Sequence, residues 1–187
     1  MGKIDFSELT PYAKVFTGLT KEREALLIEA GPVIKPALAD VTERFYTVLQ
    51  SIDTTAPFLE GRLADLKKTH QAWLESLFTG PFDETYAQTM YHVGQVHVKV
   101  DLPVEFMSGG MSLIVDELIA LVFDIYGDDP QHCPPLLKAI NAITGFSLLI
   151  MQQSYQSSSL SAELDRFLAI TGMSRTLFEN LAGAYSN

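Results

Sequence analysis

Four histidines, His70, His92, His97 and His132, are the side chains in this sequence best suited to hold a metal. Of these, His97 has the most informative setting. Met90, Val93, His97 and Val100 recur at i, i+3, i+7 and i+10, which lays a histidine in an apolar helical stripe. Val96, Val98 and Val100 also alternate with His97, Lys99 and Asp101 at strand period. The flanks favour a helix: Gly80-Pro81 stops what precedes, Asp83 and Glu84 make an acidic first turn, and about 18 residues follow before Pro103, long for a strand. His97 then points inward near a helix C-terminus. A histidine there is either a satisfied core residue or a ligand. Two features favour the ligand. Gly94, one turn earlier, removes a side chain where a flat cofactor would lie, and an apolar helical pocket suits haem better than zinc, which wants more protein ligands. No nucleotide loop, HExxH, CxxC or GxSxG pattern is present, and the carboxylates are scattered along solvent faces. Hydrolase and kinase chemistry therefore have no basis in the sequence.

The elements that must position His97 are bounded by composition. A chain of 187 residues with 47% hydrophobic content makes one domain, or one domain with a short appendage, around a sizeable core. A net charge of -10 with no basic cluster argues against nucleic-acid and anionic-membrane partners. The longest apolar runs, residues 118–123 and 148–151, fall short of the roughly 18 residues of a membrane span. Cys133 is the only cysteine, so no intramolecular disulfide forms, and the N-terminus carries no basic stretch followed by an apolar run; a reducing cytoplasm is expected.

Proline and glycine divide the rest into helical lengths, which predicts an all-α chain. Helices are expected over 7–17, ended by Gly18, and over 20–30, capped by Thr20 and ended by Gly31-Pro32. An amphipathic helix follows over 36–52, with Leu38, Val41, Phe45 and Val48 on its inner face and Tyr46 beside them. The next covers 61–78, with Leu63, Leu66, His70, Trp73 and Leu77 facing in and Thr69 on the same edge. After the histidine helix, long helices are expected over 103–126 and, beyond a Gly-Asp-Asp-Pro and Cys-Pro-Pro loop, over 136–157. Both are apolar over more than one face. They are either an internal core pair or, in addition, the four-helix bundle of a symmetric homodimer. The serine run 157–159 then separates a shorter amphipathic segment over 161–184, broken at Gly172.

Phe45-Tyr46, then Leu66-Lys67-Lys68-Thr69, then the stretch from Val93-Gly94 through Val96-His97 and Val100 to Leu102-Pro103, resemble in order and spacing the sensor globins, the haem domains of globin-coupled sensors and protoglobins. The resemblance runs from the first helix to about Ser157 and is most specific in the G-x-V-H-x-x-V-x-L-P stretch. It implies a globin-like haem-binding fold of the 3-over-3 type without the short fourth helix, with an extra N-terminal helix and a C-terminal helical appendage. The sensor globin domain would occupy residues 1–159; residues 160–187 would be the appendage or a truncated linker.

By that resemblance the cofactor is haem b, iron protoporphyrin IX, in a pocket made by Tyr46, Leu66, Thr69, Trp73, Val93, Val96, His97, Val100 and Met107. His97 would bind iron through Nε2, with Nδ1-H held by a backbone carbonyl near Val93. Tyr46 would donate a hydrogen bond to bound dioxygen, and Thr69 would add to or replace it. Leu66 would stand where oxygen-storage globins often keep a histidine. His70, one residue past Thr69, is a candidate sixth ligand, and His92, about 140° round the helix from His97, would meet solvent or a haem edge. Relatives often carry a tyrosine after the Leu-Pro of the motif, where this chain has Phe106-Met107. The implied function is a gas sensor that binds O2, CO or NO reversibly and signals through a homodimer bundle of helices 103–126 and 136–157. The competing readings are a haem globin with redox or NO-detoxifying activity, which would need an outside electron donor, and a haem-free interaction module with the same fold.

Overall fold

Eight α-helices form between the proline and glycine breaks, and a computed structural model describes them over residues 4–185; no strand occurs among these residues. Helix α1, Phe6–Thr17, begins where Asp5 accepts a hydrogen bond from the Ser7 amide and ends at Gly18, whose φ of 70° is the left-handed conformation that closes a helix. Thr20 caps α2, Lys21–Ile34. The expected stop at Gly31-Pro32 does not occur: α2 runs through both residues and passes by a short 3-10 turn, Lys35–Ala37, into α3, Leu38–Gln50. Gly31 serves packing instead. A Cβ there would lie 2.6 Å from the Phe78 carbonyl oxygen, so only glycine lets the two backbones approach.

Helix α4 spans Leu63–Ser76 and α5, the histidine helix, spans Glu84–Lys99. The Asp83 carboxylate accepts the Thr85 and Tyr86 amides and fixes the start of α5. Pro103 then caps α6, Val104–Tyr126. The next helix differs from expectation at both ends. Helix α7 spans Cys133–Thr171, 39 residues and about 58 Å at the usual rise per residue. Pro134 and Pro135 start it rather than bound a loop, because amides of a first helical turn have no intrahelical partner to lose. At the other end the serine run does not interrupt it; the helix passes residue 160 unbroken and stops at Gly172, φ 68°, before α8, Arg175–Tyr185.

Helix α7 is the axis of the domain. Ile140, Ile143, Phe146 and Ile150 are fully buried where α1, α2, α5 and α6 pack on it. Each such side chain contributes about 1.5 to 3 kcal/mol over its exposed state. Helices α3 and α4 pair with each other, and α3 leans on α6, leaving a space between this group and α5. By length and composition α6 and α7 would each satisfy a membrane span, which the short apolar runs had not suggested. In α7 more than half of the most apolar stretch is buried inside the domain, the signature of a core helix.

Candidate functional site

The end of α5 is built to fix His97. The His97 carbonyl accepts the amides of Val100 at 3.2 Å and Leu102 at 3.0 Å, and the Val98 carbonyl accepts that of Asp101 at 3.0 Å. This closure requires Asp101 to adopt a φ of 53°, a left-handed conformation that aspartate tolerates better than most residues. Asp101-Leu102-Pro103 is thus a reversal that ends one helix on the backbone of His97 and starts the next.

The His97 ring borders a cavity of about 410 Å³, walled by α3, α4, α5 and α6 with Met151 of α7, and lined mostly by apolar side chains. Every pocket residue read from the sequence lines it: Tyr46 from α3; Leu66, Thr69, His70 and Trp73 from α4; Val93, Val96 and His97 from α5, with Val100 just past its end; Met107 from α6. The exposed residues Arg62, Thr69, His92 and Val96 mark its mouth.

The polar groups in the cavity differ in what they have free. His97 Nδ1 is buried without a hydrogen-bond partner among the described residues, so the expected bond to the Val93 carbonyl is not made; that carbonyl lies one turn back, where a helix uses it for the His97 amide. Burial lowers the pKa of His97, which keeps the imidazole neutral and able to act as a ligand. Tyr46 is buried, and its hydroxyl has no hydrogen-bond partner among the described residues; burial pushes its pKa up to about 12, so it is a donor at neutral pH. Thr69 is differently placed from expectation. Its hydroxyl lies 3.1 Å from the Asp65 carbonyl and 3.0 Å from that of Leu66, on its own helix, which occupies its proton.

His70 sits in an aromatic surround. Its ring stacks on Phe45 at 4.7 Å and 10°, meets Tyr46 edge-on at 5.5 Å and lies 5.6 Å from Trp73. Nδ1 lies 3.1 Å from the Thr42 hydroxyl, and Nε2 is buried without a partner. Burial pushes its pKa down to about 4.

Gly94 has a role other than the one expected. It does not border the cavity; it is buried against α7, where a Cβ would lie 2.3 Å from Ser154 Oγ and 2.5 Å from the Met151 carbonyl oxygen. Sequence reasoning also missed Met111, Ile114 and Met151 as lining residues, and Thr42 altogether. Met107, Met111 and Ile114 fall at i, i+4 and i+7, a stripe that could have been found; Thr42 carries no sequence signal of its contact with His70.

The family model described as Protoglobin matches residues 7–161. The globin domain of a Geobacter sulfurreducens globin-coupled sensor is similar at 29% identity and a TM-score of 0.73, over 78% of this chain and 96% of that one. The ferrous and ferric forms of the globin domain of E. coli DosC share the fold at 18% and 19% identity, with TM-scores of 0.64 and 0.62. They cover 78% and 75% of this chain, and 99% and 97% of their own. No curated protein sequence matches.

Proposed function

The chain belongs to the protoglobin family, and from that premise we propose that it is a haem-binding gas-sensing globin, with His97 as the proximal ligand of haem b. The single observation that carries the proposal is a neutral, inward-facing histidine, fixed by its own helix terminus, on the wall of an apolar cavity with a free tyrosine hydroxyl on another wall.

The residues fit the group. An apolar cavity accepts a porphyrin face, and the mouth, with Arg62 and His92, offers polar partners for its carboxylates. Nη2 of Arg62 donates to the Phe58 carbonyl at 2.7 Å, which leaves other guanidinium donors available. Bound haem supplies a ferrous iron that takes up a diatomic gas, O2, CO or NO. The chain supplies the rest. His97 Nε2 is the ligating atom, with the Val100 and Leu102 amides holding its backbone in place. Tyr46 directs a proton into the pocket and favours a ligand that carries partial negative charge. Leu66, Val93 and Val100 keep water out, and Thr69 acts through its methyl group more than its hydroxyl.

The signal would leave through a homodimer. Helix α6 keeps Ile119 and Phe123 exposed on one face while its other face packs on α7, the pattern of a helix with a second partner. The buried, unpaired Cys133 suits a cytoplasmic protein. The test is haem uptake: the purified chain should bind haem in one-to-one ratio with a globin absorption spectrum, and failure of uptake after reconstitution would leave the fold as a haem-free interaction module.

A further inference from the structure

Past residue 161, where the match to the family ends, the chain carries an apolar face that no other described residue covers. Leu160, Phe167 and Ile170 of α7 are 58%, 47% and 85% exposed, and Leu177 and Leu181 of α8 are 50% and 44% exposed. The two helices meet beside their turn at Gly172. There the Phe167 and Phe178 rings lie 6.1 Å apart, Arg175 binds the Asp165 carboxylate, and Leu168 is buried. A helix of 11 residues is not stable in water by itself, and the side chains that α8 leaves bare are the ones that could be packed to hold it.

Position and charge select the occupant of this face. At about 100° per residue, Leu160, Phe167 and Ile170 fall in one stripe about 80° wide, and Gln152 and Gln156 continue it back along α7, exposed where that helix crosses the domain. The apolar face is thus continuous with the outward side of α7. Residues 160–187 hold Glu163, Asp165 and Glu179 against Arg166 and Arg175, so they carry one of the ten net negative charges of the chain. Both arginines are engaged, Arg175 with Asp165 and Arg166 with Glu163 at 3.9 Å, which leaves no cation to hold anionic lipid. Two copies of this segment can therefore meet without the repulsion that the rest of so acidic a surface imposes. The bare side chains offer about 500 Å² per copy, and the roughly 1,000 Å² of a pair reaches the lower limit of a specific interface. We propose that this face of α7 and α8 docks on the same face of a second copy, extending the α6 and α7 bundle beyond the globin domain.

The inference rests on the homodimer reading above, and the experiment separates the two. Sedimentation equilibrium of the full chain gives the dimer dissociation constant. Ile170→Glu and Leu177→Glu each put a carboxylate on the face, at positions whose exposure spares the core, and Ala169→Glu puts the same charge on an exposed position round the back of α7. The wild type should be a dimer whose dissociation constant rises about tenfold or more in either face variant and stays unchanged in Ala169→Glu. If Phe123→Glu remains a dimer while the face variants dissociate, the proposal stands and the α6 bundle fails. If the face variants match the wild type while Phe123→Glu is a monomer, the bundle stands and the proposal is overturned. Equal weakening by Ala169→Glu also overturns it, because charge alone then accounts for the effect. A wild-type monomer overturns both readings. Flotation of that monomer with phosphatidylcholine vesicles, lost in Ile170→Glu, would assign the face to a lipid surface instead.

Discussion

Gly94 of α5 meets Met151 of α7 so closely that a Cβ on the glycine would stand 2.5 Å from the Met151 carbonyl oxygen, and Ser154 Oγ would be nearer still, at 2.3 Å. The Ser154 hydroxyl is held at 2.7 Å from that same carbonyl, so it has little room to retreat. The helix bearing His97 is therefore seated, one turn from the histidine, on the axial helix of the domain, and Met151 itself also reaches the cavity.

Gly94→Ala should therefore separate α5 from α7 or strain both. We expect a loss of about 1 to 3 kcal/mol, since backbone cannot give way as a flexible side chain would. Urea denaturation of the haem-free protein measures it; a loss below about 0.5 kcal/mol would mean that the helices slide apart easily.

Oxygen release reports on Tyr46. With its hydroxyl unpartnered among the described residues, Tyr46→Phe removes the donor without opening a cavity, and oxygen should dissociate about tenfold faster. Stopped-flow displacement by carbon monoxide gives the rate, and an unchanged value would take Tyr46 out of the account.

Acid stability reports on His70. Its folded pKa of about 4 lies below the ordinary 6.5 because burial disfavours the charged ring. The unfolded chain thus binds the proton first, and the stabilisation present above pH 6.5 is lost as pH falls toward 4, amounting to about 3 kcal/mol. Urea midpoints of the haem-free protein should fall over that interval, and less so in His70→Leu. Parallel profiles for the two proteins would contradict the assignment.

The dimer reading makes a separate demand. Phe123 is 55% exposed on α6 beside Ile119 at 36%. A carboxylate there would be desolvated by a bundle partner but harmless on a free surface. Sedimentation should find a dimer for the wild type and a monomer for Phe123→Glu; a wild-type monomer would remove the bundle from the proposed signalling.

Much of this was legible in the sequence because it rests on period and punctuation. The apolar stripe around His97 outweighed the local alternation of valines, and the inner faces of α3 and α4 carried Tyr46, Leu66 and Trp73 to the cavity wall. What was not legible depends on neighbours distant in sequence. Gly31 and Gly94 read as a helix stop and a cofactor clearance; each proves to be a place where another backbone comes close, Phe78 in one case and Met151 in the other. Pro134 and Pro135 read as a loop because their role at a helix start depends on where the helix begins. The orientation of a hydroxyl is likewise invisible in sequence. Thr69 bonds its own helix and Thr42 bonds His70, and nothing in the residue types separates them.

The central claim, that His97 is the atom donor that fixes haem in this chain, is tested most directly by the visible absorption spectrum of the reconstituted protein beside that of His97→Ala, ferric and ferrous. The account predicts a globin spectrum in the wild type that is lost or grossly altered in the variant, with added imidazole restoring part of it in the cavity left behind. An identical spectrum in both proteins would contradict it.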